Sequence, residues 1–169
     1  MATSITRKIL LFIIIGIAQA LVFNNVRLFN CATPFLTAYF VAQFALGETR
    51  TAMLLWCFCL GLSIDIISNT PGLAASSLTF GAFMQPYILG LFTSRDQEDK
   101  SLIPPSSLKT ARYVAFAFIM SLVTCATFYS LEAFQFDRIL QWAENVAGST
   151  LLTFAFMIAF NSFARNKRQ

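Results

Sequence analysis

Apolar residues run through this chain in long blocks, with little of the two-residue alternation expected of strands. Six blocks stand out, over Thr6–Phe23, Pro34–Leu46, Thr51–Ile67, Leu73–Phe92, Ala111–Phe134 and Ile139–Phe163. A helix that crosses a bilayer needs about 20 mostly apolar residues, with a working range of about 17–25. The second block is short for this. Thr33-Pro34 reads as an N-cap followed by proline at the first helical position, and Gly47 reads as a C-terminal stop. The pattern predicts an all-α polytopic membrane protein: one six-helix transmembrane bundle over residues 1–169. The longest polar stretch, Ser94 to Arg112, is too short to bury a core of its own. The Arg7-Lys8 pair before an apolar run imitates a secretory signal. The run continues from Ile9 to Phe23 with no small-x-small site leading into a soluble domain, so it reads as a retained first span.

Composition agrees with the pattern. Of 169 residues, 57% are hydrophobic and only 12% are charged, against about 25% charged in a typical soluble domain. The charges are segregated. With six crossings, one face collects Arg7, Lys8, Arg50, Arg95, Lys100, Lys109, Arg112, Arg165, Lys167 and Arg168. The other collects Arg27 and Arg138. That asymmetry of ten against two places the first face, and both termini, in the cytoplasm by the positive-inside rule. If the second block dipped in and returned, the asymmetry would largely vanish. The net charge of +4 does not point to nucleic acid, because the basic residues flank apolar blocks instead of forming a stripe among aromatics. The cytoplasmic Ser94–Lys109 loop reads as a solvated linker, with Arg95, Asp96, Glu98, Asp99 and Lys100 followed by Pro104-Pro105. The stretch 135–146, with Trp142 at headgroup depth, reads as an interfacial lead into the last span.

Asp65 is the one carboxylate lying far inside an apolar run. At mid-membrane depth such a group costs about 2.5–3.5 kcal/mol. The third span runs outward from Thr51, so Asp65 lies near the outer interface, where the cost is lower. Cys57, Gly61, Asp65 and Ser68 share one helix face. That face is small and polar, whereas Leu54, Leu55, Phe58 and Leu62 cover much of the remainder. Small faces mark close helix–helix contact in lipid. Asp65 is therefore expected to point inward and to accept from the free N–H groups that open the fourth span, just past Pro71-Gly72, where the helix dipole also favours an anion. A second reading has Asp65 grip a partner or ligand. In the fourth span Ser77, Gly81 and Gln85 form another small-polar face, expected to pack on the third span, and Pro86 is expected to kink the helix. Gln19, Gln43 and Gln85 are candidates for bonds across helices.

Catalytic groups are sparse. The chain has no histidine, which removes Ser–His and Cys–His pairs and His-ligated metals. Intramembrane aspartyl chemistry needs two carboxylates at one site, and only Asp65 is deep. Cys31, Cys57, Cys59 and Cys125 are too scattered for a cluster and read as packing thiols. No glycine-rich phosphate loop occurs. No cofactor, metal or enzymatic activity is expected.

The segment Gly61-Leu62-Ser63-Ile64-Asp65-Ile66-Ile67-Ser68-Asn69-Thr70-Pro71-Gly72 resembles the rod-shape-determining MreD family of bacteria, which often shows Gly-x-x-x-Asp followed by a short polar turn with Pro-Gly. Asn24-Asn25-Val26-Arg27-Leu28-Phe29, Ala32-Thr33-Pro34-Phe35-Leu36 and Tyr39-Phe40 look like the Bacteroidetes branch of that family. The likeness runs from about Leu21 to Phe92 and weakens beyond Ser94. It implies a non-catalytic inner-membrane scaffold of the cell-elongation and peptidoglycan-synthesis machinery. Such a protein pairs with MreC, a bitopic protein with a periplasmic domain, and is linked to MreB, RodA and RodA's partner transpeptidase. It also implies a fold similar to the substrate-binding subunit of energy-coupling-factor transporters, with Gly61, Asp65, Asn69, Pro71 and Gly72 as marked positions. The alternative is a small-molecule-binding subunit of such a transporter, suggested by six spans and an outward turn holding Ser68, Asn69 and Thr70.

Overall fold

The computed structural model describes residues 2–19, 35–45, 47–93, 105, 108–132 and 139–166. These form helices α1 (Ala2–Ile17), α2 (Thr37–Ala42), α3 (Arg50–Ser68), α4 (Leu73–Phe92), α5 (Thr110–Glu132) and α6 (Ile139–Asn166), and no strand occurs among the described residues. The all-α expectation holds. Among the described residues three helical stretches are long and apolar enough to cross a membrane: α3, α5 and, within α6, Leu140–Ser162. The 19 residues of α3 rise about 28 Å, close to the roughly 30 Å thickness of a hydrocarbon core. The 20 residues of α4 give the same reach, but Ser76, Ser77, Gln85 and Pro86 dilute its apolarity. The expected loops over 24–33 and 94–104, and Asp137-Arg138, lie outside the described residues.

The second block departs most from expectation. Its described helix covers six residues instead of the whole of 34–46, a rise of about 9 Å. All six are buried, as befits a helix apolar on every side. The backbone nevertheless returns along α1. Leu36 N–H donates to Gln19 Oε1 at one end, and Lys8 forms an ion pair with Glu48 at the other. Between Lys8 and Gln19, α1 rises about 16 Å. The described residues between 36 and 48 cover that distance in the opposite direction, first as α2 and then, over 43–45 and 47–48, as irregular chain.

Irregular backbone at membrane depth is tolerated only where protein satisfies its polar groups. Here side chains do so. Phe35 N–H donates to Thr153 Oγ1 at 3.0 Å, Leu36 N–H to Gln19 Oε1 at 2.8 Å, and Gln85 Nε2 donates to Phe44 O at 2.8 Å. Gln19 and Gln85 thus bond distant backbone, but of the irregular segment on either side of α2 instead of another helix. Gln43 ends α2, its backbone N–H bonded to Phe40 O at 3.1 Å.

Around this buried segment α3, α4, α5 and α6 pack in chain order, and α2 touches α1, α4, α5 and α6. Phenylalanine fills the centre. Phe12 meets Phe40 and Trp56 edge-on at 6.2 and 5.7 Å, and Phe40 meets Phe44 at 5.4 Å. Each such pair adds about 0.5–1.5 kcal/mol beyond area burial. The outside is equally apolar: Leu55, Ile66, Leu91, Leu140 and Leu151 are all more than 60% exposed. In water that surface would aggregate; against acyl chains it is matched.

Gln85→Leu tests the support of the irregular segment. It leaves Phe44 O buried without its donor and should cost about 1–3 kcal/mol. A lowered thermal midpoint in detergent is the expected outcome, whereas an unchanged midpoint would mean that the segment does not depend on this bond.

Candidate functional site

The α3–α4 turn is where the sequence and the geometry meet. α3 ends in a tight reversal. Asn69 adopts the left-handed conformation, with φ 54° and ψ 37°, and its N–H bonds Asp65 O. Thr70 N–H closes back on the same carbonyl at 3.2 Å. This is the six-to-one bond of a Schellman turn, and asparagine tolerates the left-handed position better than most side chains. Pro71 follows, and Gly72 takes φ 83°, which favours glycine.

Gly72 is also the N-cap of α4 and has no side chain with which to cap it. The N–H groups at the second and third helical positions ordinarily receive a capping oxygen. Here those are Ala74 and Ala75, and Asp65 reaches them from the preceding helix. Oδ1 accepts from Ala74 N–H and Oδ2 from Ala75 N–H, each at 2.9 Å. Thr70 Oγ1 donates to Oδ1 at 3.1 Å. The first-turn N–H groups are then all accounted for, since Leu73 N–H meets Thr70 O and Ser76 N–H begins the helical ladder on Gly72 O. Asp65 is 4% exposed, so this is a buried carboxylate held by three donors and the positive end of a helix dipole.

Gly61 makes that reach possible. A Cβ built on Gly61 would lie 2.3 Å from Ala75 Cα and 2.6 Å from Ala75 N. The start of α4 therefore rests directly on the backbone of α3, one turn before Asp65. Glycine four residues ahead of aspartate gives one helix both a flat seat and an acceptor for its neighbour's first turn.

The remaining expected positions divide. Cys57 is fully buried on the same face of α3. Ser68 Oγ is enclosed without a hydrogen-bond partner. Ser77, Gly81 and Gln85 are buried on α4, but Gly81 and Gln85 do not face α3. Gly81 faces Thr124 of α5 and, more loosely, Val41 of α2, and Gln85 reaches Phe44. The two small-polar faces thus serve different neighbours, because α4 is buried on more than one side. Cys59 is exposed and is not a packing thiol; two residues from Cys57, it points to a different side of the helix. Cys31 lies outside the described residues.

One polar seam was missed. Tyr129 Oη and Ser149 Oγ lie 2.7 Å apart, and Cys125 Sγ and Thr153 Oγ1 3.7 Å apart, between α5 and α6. Cys125/Tyr129 and Ser149/Thr153 are each four residues apart, the same spacing that identifies the α3 face.

A cavity of about 10 Å³ sits beside the site, lined in part by Gln19, Thr37, Thr70 and Ser77. It has room for about one water. Among the described residues no group of three or more His, Cys, Asp or Glu is placed to hold a metal. Comparison of the chain with protein-family models, with curated proteins and with solved structures gives no match.

Removing the acceptor should be costly and should depend on the seat. Asp65→Ala strands two buried N–H groups and is expected to cost about 2–4 kcal/mol. Gly61→Ala pushes α4 away from α3, so in that background Asp65→Ala should cost at least about 1 kcal/mol less. A double-mutant cycle on unfolding in detergent measures this coupling, and strict additivity would separate the two residues.

Proposed function

We propose that this chain is a non-catalytic scaffold of the bacterial inner membrane, of the kind that the MreD resemblance implies, holding an MreC-like bitopic protein within the cell-elongation machinery. The observation that carries the reading is the use of Asp65. Its oxygens accept from Thr70, Ala74 and Ala75 of the same chain, so the most distinctive charged residue fixes a helix pair instead of presenting a reactive group. A turn braced in this way, with exposed Ile66, Asn69, Pro71 and Gly72 around it, suits a surface that another protein reads. The cavity beside it, about 10 Å³, offers space for about one water.

On this reading the chain crosses the membrane six times, the second crossing being α2 with its irregular continuation. Lys8, Arg50, Lys109 and Arg112 then mark the cytoplasmic end, and the Asp65 turn faces the periplasm. MreB, RodA and RodA's transpeptidase partner are reached through the same assembly.

Photo-crosslinkers placed at Asn69 and Pro71 in native membranes test the proposal. Capture of a single-span protein with a periplasmic domain is expected, together with loss of that capture and of rod shape in Asp65→Ala. Capture of nothing but lipid, with normal shape in the variant, would overturn it. Reporters fused to the two termini should both read cytoplasmic.

A further inference from the structure

A second feature lies at the opposite end of α3 from Asp65. Arg50 opens that helix, and no acidic residue occupies the first turn. The nearest carboxylate in sequence, Glu48, is engaged by Lys8. Arg50 lies instead on Tyr87 of α4. Its guanidinium carbon is 5.1 Å from the ring centroid, and Nη1 donates to the phenol oxygen at 3.1 Å. The contact is open, since Tyr87 keeps 50% of its surface exposed. A guanidinium has five N–H donors, and Tyr87 takes one while orienting the plane.

Tyr87 also belongs to a stripe. Phe80, Phe83, Tyr87 and Leu91 recur at three- and four-residue spacing on one side of α4, and each is at least 45% exposed. Phe83 and Tyr87 pack with ring centroids 5.8 Å apart. The arrangement is an apolar lane on a helix of membrane length, with an oriented planar cation fixed near one end of it. The planar fork of arginine matches two oxygens of a phosphate, and the lane matches acyl chains.

The geometry points to a binding site for one anionic phospholipid, its phosphodiester on Arg50 and its chains along Phe83 and Phe80, which lie on the Asp65 side of Tyr87. Charge complementarity selects the anionic class. Among the described residues Glu48, the carboxylate nearest in sequence, is engaged by Lys8, which leaves the positive charge of Arg50 for an anion. The lane selects a lipid over free phosphate. Tyr87 positions the guanidinium.

Native mass spectrometry of the full chain, released from bilayers holding equal phosphatidylglycerol and phosphatidylcholine, tests this. The wild type should keep phosphatidylglycerol in preference. Arg50→Gln should lower that retention about fivefold. Tyr87→Phe keeps the ring, drops the phenol oxygen and should lower retention by a smaller factor; it also decides the matter if Arg50→Gln fails to fold. Millimolar inorganic phosphate should leave the lipid adduct in place. Equal retention of the two lipids, no loss in either variant, or displacement of the adduct by phosphate would overturn the assignment.

Discussion

The first N–H groups of a helix have no partner within it, and Asp65 supplies one for α4 from the neighbouring helix. The carboxylate carries a burial cost below the midplane value because it sits near the end of its helix. Against that cost stand three donors, and a hydrogen bond to a charged group contributes about 1.5–3 kcal/mol. The balance favours the buried charge. It also dictates its neighbours. Gly61 has no side chain because Ala75 occupies that space. Asn69 and Gly72 take left-handed angles because the chain must reverse at once. Gly72 can leave its own helix uncapped because the cap comes from α3.

The same economy governs the buried segment around α2. A continuous helix would satisfy its own backbone. This one stops after six residues, and Gln19, Thr153 and Gln85 complete the bonding from three other helices. Each bond ties an irregular stretch to a regular element, so the centre of the bundle is held by polar contacts set among phenylalanines. Asp65, Gln19, Gln85 and Thr153 are thus each used in holding shape. That is the physical content of the scaffold proposal: a fixed surface, with no reacting group among the residues that define it.

Much of this was legible in the sequence where local chemistry decides. The block edges at Thr51–Ile67, Leu73–Phe92 and Ala111–Phe134 match α3, α4 and α5 to within two residues, because charges, proline and glycine punctuate them. Asp65 was legible because a lone carboxylate in an apolar run must find donors, and the nearest free ones lie just past the turn. The short α2 was not legible. An apolar run from Pro34 to Leu46 reads as continuous helix unless side chains far away in sequence, such as Thr153, are known to take over its backbone bonds. Nor was the partner of each small face. Periodicity shows that Ser77, Gly81 and Gln85 align, but not that α2 and α5 stand opposite them. The α5–α6 seam at Tyr129 and Ser149 repeats the four-residue spacing of the α3 face.

Amide hydrogen exchange at Ala74 and Ala75, in wild type and in Asp65→Ala, addresses the central interaction most directly. If the carboxylate caps α4, both amides exchange slowly in the wild type and at least about tenfold faster in the variant, while amides in the middle of α3 keep their rates. Equal exchange at Ala74 and Ala75 in the two proteins would contradict the account, since their protection would then owe nothing to Asp65.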